Sequence, residues 1–424
     1  MNTSLVGILL AALLVAVGCT VAAAEDAPPA AKPAPAASPA PAPAAKVNPL
    51  NDPNFMPIAV NVQSLTNAKI YRDAGINVYV GIDDITEKPE KDFQFKPEAA
   101  TLDKLTALGM YTMVEQNVWG KLKDHPAIIA WLSPVDEPDN VQEGGKAIPL
   151  DTFLEEARKI KAFDATHPYT VCFGQGLIND LFKGRGIERE MYPKYMAAVD
   201  FIMYDVYPIT NTRQPEPEKK LEMVGQGISL IRKWTDNKKP AMCWIETNHI
   251  KDPNKTPTPA QTACEVWITM VHGARGVGYF CHDFTLAEKK ASALSRDKEM
   301  LAQLAKTNAK LMKLARIISA PLTTEPATVK SEGGKVIAST KRFAENYPER
   351  KDGRTMGRTP AKTTVLAVNV LGEKAKATIP VAGLTKGTVL RVLEEDRTVT
   401  AGSDGEFVDE FAPYQEHIYE IANM

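Results

Sequence analysis

From Pro57 to Ser319, short apolar runs of strand length alternate with stretches of helical period, and this alternation constrains the fold more than any other feature. Candidate strands begin near Ile58, Asn77, Tyr111, Ile128, Tyr169, Asp200, Ala241 and Gly276. Helix-period stretches lie between most of them: 67–74, 97–108, 151–165, 189–198, 217–234 and 259–272, with a last one over 296–318. Gly75, Gly109 and Gly273 follow helical stretches where left-handed C-caps belong. Only the link between the third and fourth strands is short, a turn around residues 119–124. Eight such units match a (β/α)₈ (TIM) barrel, which takes about 250 residues. An open doubly wound sheet, the competing α/β solution, would carry a Gly-rich phosphate turn after its first strand. Val60-Asn61-Val62-Gln63-Ser64 has no glycine there.

Beyond Pro321 the pattern changes to period two. Residues 336–343, 364–371, 375–381, 389–393 and 417–421 alternate apolar and polar side chains, with turn signals at Glu332-Gly333-Gly334 and Ser403-Asp404-Gly405. This predicts a small all-β sandwich domain, with 345–362 as a polar loop. Its expected role is to cap and stabilise the barrel, with sugar binding as the alternative.

The N-terminus reads as a targeting segment. Leu5 to Val17 is unbroken and apolar, the length of a signal-peptide core and too short to span a bilayer, although no Lys or Arg precedes it. Cleavage after Ala22-Ala23-Ala24 is one outcome; the other treats Ala16-Val17-Gly18-Cys19 as a lipoprotein box that lipidates Cys19. Seven prolines between Pro28 and Pro43 make the following tract an extended tether. The predicted organisation is a signal over 1–24, a linker over 25–50, a barrel over 51–320 and a sandwich over 321–424. The protein is expected to be exported, as a periplasmic, secreted or lipid-anchored surface protein.

A net charge of −2, with Lys and Arg spread along the chain, builds no basic face for nucleic acid. Cys172, Cys243, Cys264 and Cys281 lack zinc-type spacing and sit in apolar runs, so they read as buried hydrophobes, with a Cys243–Cys281 bridge as the alternative. Six histidines without metal-type spacing give no reason to expect a metal, and no cofactor is expected.

A barrel carries its active site at the C-terminal ends of its strands. Read in order, those ends offer Asn61 and Gln63, Asp83 and Asp84, Glu115 to Asn117, Asp136 and Glu137, Gln175, Asp205 and Tyr207, Glu246 and Asn248, and His282 with Asp283. So many hydrogen-bonding groups suit a hydroxyl-rich oligo- or polysaccharide. Two apolar strands, the fourth and seventh, end near Glu137 and in Glu246. Their positions predict two carboxyls facing one another across the mouth, the requirement for cleaving a glycosidic bond.

These phrases resemble clan A of the glycoside hydrolases, retaining (β/α)₈ glycosidases. Trp131 with Asp136-Glu137-Pro138 resembles the acid/base strand, Trp244-Ile245-Glu246 the nucleophile strand, and Tyr204-Asp205-Val206-Tyr207-Pro208 the strand whose tyrosine bonds the nucleophile. Gly278-Tyr279-Phe280 is similar to the clan's eighth strand. The resemblance implies double displacement on a β-linked glycan, with Glu137 as acid/base, Glu246 as nucleophile and Tyr207 orienting Glu246. Asp136, Asp205, Asn117, Trp119, Glu115, Trp244, His282 and Asp283 are the candidate sugar contacts. Asp136 stands where the clan has asparagine, and His282 and Asp283 follow the eighth strand where it has a tryptophan platform, leaving Trp119 or Phe284 for that task. The alternative is a non-catalytic glycan-binding surface lipoprotein on a glycosidase-like barrel.

Overall fold

The computed structural model describes residues 48–82, 97–142, 145–182, 186–285, 292–343 and 362–421. The predicted signal, tether, Cys19, Asp83, Asp84 and polar loop lie outside the described residues. Eight parallel strands, β1 (Ile58–Gln63), β2 (Val78–Ile82), β3 (Tyr111–Glu115), β4 (Ile128–Leu132), β5 (Tyr169–Phe173), β6 (Phe201–Asp205), β7 (Ala241–Glu246) and β8 (Gly276–Phe280), close in sequence order into a barrel. Closure pairs Ala59 of β1 with Gly278 of β8. The helices after them are α1 (Ala68–Asp73), α2 (Ala99–Ala107), α3 (Gln116–Trp119), α4 (Leu150–Phe163), α5 (Tyr192–Met196), α6 (Met223–Trp234), α7 (Pro259–Val271), α8 (Lys298–Lys313) and α9 (Ala315–Ile318).

Period-two alternation splits the strands' side chains between two cores. Val78, Val80, Met113, Phe201, Met203, Met242 and Trp244 pack inside the barrel. Tyr79, Val114, Ile202, Tyr204, Cys243, Ile245, Val277 and Tyr279 face the helices, against Leu102, Ile160, Ile228 and Val266. Gly278 makes room for the Trp244 indole: a Cβ there would come within 2.3 Å of its ring. Gly75, Gly109 and Gly273 take positive φ of 80°, 66° and 90° at helix ends, as expected of αL caps. Helix α7 begins with a capping box, in which Thr258 and Gln261 each bond the other's backbone N–H, and Pro259 fills its first turn.

Strands β9 (Ala327–Thr328) to β17 (Glu416–Ile421) follow. Within them, β10 (Lys330–Gly333), β13 (Ala375–Pro380) and β16 (Glu406–Phe411) form one antiparallel sheet. The order β15 (Arg397–Thr400), β14 (Val389–Val392), β17, β12 (Lys362–Asn369), β11 (Val336–Phe343), β9 forms the other. Val336, Val365, Ala377, Leu390, Phe407 and Tyr419 fill the core of this β-domain. Helix α7 is buried on every face from Thr262 to Val271 because the barrel covers one side and the β-domain the other. Ser339 Oγ donates to Val271 O at 2.6 Å and Lys310 Nζ pairs with Glu416 at 2.9 Å across this boundary. Cys172, Cys243, Cys264 and Cys281 are free and buried, so no Cys243–Cys281 bridge exists.

Candidate active site

The chain leaving β4 turns sharply at Glu137, whose φ of 46° is unusual for a residue with a Cβ. Glu137 N donates to Cys172 O at 3.1 Å, Asn140 N donates to Glu137 O at 2.9 Å, and Gln142 Nε2 donates to the same carbonyl at 2.7 Å. The fixed turn holds a backbone strain of about 1–3 kcal/mol. It aims the Glu137 carboxyl across the end of β5, where Asn140 Nδ2 donates to Oε2 at 2.5 Å. Gly174 is needed there, since a Cβ would lie 2.8 Å from that oxygen. Asp139, not singled out in the sequence, anchors the turn from below. Its carboxylate accepts from Gly174 N at 3.0 and 3.2 Å and from Tyr192 Oη at 2.7 Å.

Asp205, at the end of β6, reaches the same place, and its carboxyl hydrogen-bonds that of Glu137. Burial first, then the charges of Glu137, Asp136 and Asp139, push Asp205 well above the ordinary carboxylate value. Its Oδ1 is buried and has no hydrogen-bond partner among the described residues. Asp136 opens onto solvent at the rim, yet the surrounding walls and the Glu137 charge push it up to about 6. Burial pushes Asp139 up to about 7 against the bonds from Tyr192 and Gly174.

Asp136, Glu137 and Asp205 line a cavity of about 220 Å³ together with Asn61, Cys172, Tyr207, Trp244, Lys251, Phe280 and Phe284. A second cavity of about 130 Å³ adjoins it through Asn61, Asp136, Cys172 and Trp244 and adds Val62, Glu115 and Met203. Trp244 is 1% exposed and its Nε1 has no partner. The mouth therefore offers a buried unpaired acceptor and a buried unpaired donor, the pattern a polar ligand would complete. Burial raises Glu115 while the Asn117 side chain bonds it and works in the other direction.

Of the predicted contacts, Glu115, Asp136, Glu137, Asp205, Tyr207 and Trp244 line these cavities. Asn117 lies exposed on α3, and Trp119 is 3% exposed in the layer between barrel and helices, where no sugar ring can stack on it. His282 stands behind the rim, its Nε2 3.1 Å from Asn61 O and its ring stacked on Phe284 at 5.9 Å and 3°. Asp283 accepts from Thr285 N and Oγ1 at 2.8 and 2.6 Å, bracing its own loop.

The structure does not bring Glu246 to the mouth, and this corrects the expectation of a Glu137–Glu246 pair. Glu246 is 0% exposed. Oε1 accepts from Ile209 N at 2.7 Å, and Oε2 from Thr210 N at 2.9 Å and Thr210 Oγ1 at 2.5 Å. Glu265 of α7, also fully buried, lies against the same carboxylate and is pushed well above its ordinary value by burial and by the Glu246 charge. A carboxylate committed to three donors and a buried acid has neither the access nor the free lone pair for attack on a sugar. Tyr207 is not its orienting partner either. The Tyr207 ring packs on Phe280 at 5.0 Å in the cavity wall.

Among the described residues no group of three or more His, Cys, Asp or Glu side chains is arranged to hold a metal ion. No protein-family model matches the sequence, nor does any curated protein. Solved structures do share the architecture. An Anoxybacillus α-amylase, placed in a glycosyl hydrolase subclass, superposes with a TM-score of 0.53 at 10% identity, over 88% of this chain and 99% of its own. A protein assigned as an α-galactosidase from Bacteroides fragilis gives 0.51 at 12% identity, over 88% and 80%. The fold is thus a TIM barrel followed by an all-β domain, as found in glycoside hydrolases.

Proposed function

We propose that this protein is a glycoside hydrolase acting outside the cytoplasm, with its reacting acids drawn from β4 and β6. The observation that carries the reading is the gathering of Asp136, Glu137 and Asp205 around one polar cavity at the C-terminal face, with Asp205 pushed well above the ordinary carboxylate value by burial and by its acidic neighbours. Two carboxyls in contact share one proton because both cannot ionise cheaply. That proton, on the Asp205–Glu137 pair, passes to the glycosidic oxygen as its bond to the anomeric carbon breaks. Asp136 is the second carboxylate, activating water or attacking the anomeric carbon itself. The combined cavity falls near the lower end of ligand sites, about 300–1,000 Å³, and suits one or two sugar rings. The related folds named for α-linked substrates, an amylase and an α-galactosidase, make both anomeric series the relevant panel.

The test is hydrolysis of fluorogenic glycosides in both series by the wild type, Asp205→Asn, Glu137→Gln and Asp136→Asn, with the anomer of the first product read by NMR. Loss of an acid/base group costs about 10²–10⁴-fold in rate. Full activity in all three variants would refute the assignment. Glycan binding without turnover is the second reading, favoured by Asp136 standing where the clan has asparagine. Binding of sugars with no hydrolysis of any member would establish it.

A further inference from the structure

The mouth holds more acidic groups than glycosidic cleavage needs. Glu115, Asp136, Glu137 and Asp205 line the two cavities, with Asp139 directly behind, and among the described residues the only basic one in the lining is Lys251. Among the described residues, the charges that bear on Glu115, Asp136, Asp139 and Asp205 after burial are other carboxylates. Buried carboxyls are ordinarily paired with a cation or a set of donors, and here Asp205 Oδ1 has neither. The Trp244 indole N–H in the shared wall is likewise unpaired. A ligand that completes this site brings a strong donor of positive charge to the acids and an acceptor oxygen to the indole. Among the described residues no metal-holding group competes for the first role.

We propose that the glycan taken by this mouth carries a free, protonated amino group: a non-acetylated amino sugar. This rests on the carbohydrate reading of the site and narrows it. An ammonium at this cluster donates to Asp205 Oδ1, which has no partner among the described residues, and makes charge-assisted bonds to the ionised carboxyls beside it, while a ring or hydroxyl oxygen accepts from Trp244. N-acetylation would remove the charge, and a uronic acid would add another carboxylate to the cluster.

Calorimetric binding to the full chain tests this, with methyl glycosides of glucosamine and galactosamine, their N-acetyl forms, the neutral parent sugars and the corresponding uronic acids, each as both anomers. The amines are expected to bind about tenfold or more tightly than the neutral parents at low salt, with uronates weakest and the gap narrowing as salt rises. Lys251 is exposed, so Lys251→Gln keeps the fold and widens the amine's advantage. Equal or tighter binding of neutral or N-acetyl sugars overturns the proposal while leaving hydrolysis intact. An amine preference without cleavage of any glycoside removes the hydrolase reading and keeps this one. Failure to bind every sugar removes both.

Discussion

Glu246→Ala separates two accounts of the same residue. If Glu246 were a nucleophile at the mouth, its truncation would abolish turnover at little cost to the fold. The structure gives the opposite balance. Truncation strips the acceptor from Ile209 N, Thr210 N and Thr210 Oγ1 in a site with no exposure, and leaves the Glu265 acid without its partner. Each buried donor left unmade costs about 1–3 kcal/mol, and relief of a buried charge offsets part of the sum. The expected net loss is about 3–5 kcal/mol, in line with other broken buried pairs. At about 2 °C per kcal/mol for a large domain, this lowers Tm by about 6–10 °C. Urea titration and thermal melts followed by circular dichroism measure it, alongside activity per folded molecule. A variant with wild-type stability and no activity would refute this reasoning and restore Glu246 to the chemistry.

The other expectations follow from the same contacts. Gly174→Ala places a methyl 2.8 Å from Glu137 Oε2, so it should cut kcat by about tenfold or more while the melt moves little; unchanged kcat would show that Glu137 need not hold its position. Glu265 has a raised folded pKa, so the stability it contributes is full below the ordinary 4.5 and falls as pH rises through the higher folded value. Glu265→Gln should therefore gain stability relative to the wild type with increasing pH, read by urea midpoints; a constant difference would deny the buried proton. Lys341, buried between β11 and the end of α9, is pushed down to about 7 by burial and by Arg275 and Arg232, while its Nζ donates to Ile318 O. Wild-type stability should thus rise between about pH 7 and 10.5 by a contribution that Lys341→Met lacks, measured as the difference between the two pH profiles. Asp136→Asn removes the group pushed up to about 6, so the acid limb of kcat/KM should disappear or move; an unaltered profile would assign that limb elsewhere.

The barrel was legible because each strand writes its own signature. Runs such as Tyr111–Glu115 and Ala241–Glu246 are apolar, short and bounded by helix caps, and observed strand starts lie within a residue of those expected. The β-domain was read less fully: β10, β15 and β16 carry Lys, Glu, Arg and Asp on exposed faces, which hides their period. Glu137, Asp136, Asp205, Tyr207 and Trp244, candidates read from the ends of their strands, do line one cavity at that end of the barrel. Glu246 was misread because a strand pattern sets a residue's position along the barrel and says nothing about which distant donors claim its side chain. Those donors come from the turn after β6 and from α7, elements no local pattern connects to β7. One signal for the pairing was present in the sequence. Glu265 sits inside Thr262–Val271, a helix otherwise apolar on every face, and an acid buried there demands a partner. Glu246, at the end of the strand that helix covers, lies against it with its own oxygens claimed by Ile209 and Thr210, whereas Asp205 Oδ1 has no hydrogen-bond partner among the described residues. Where two acids end neighbouring strands, the one whose oxygens the protein leaves unclaimed is the one available to a ligand.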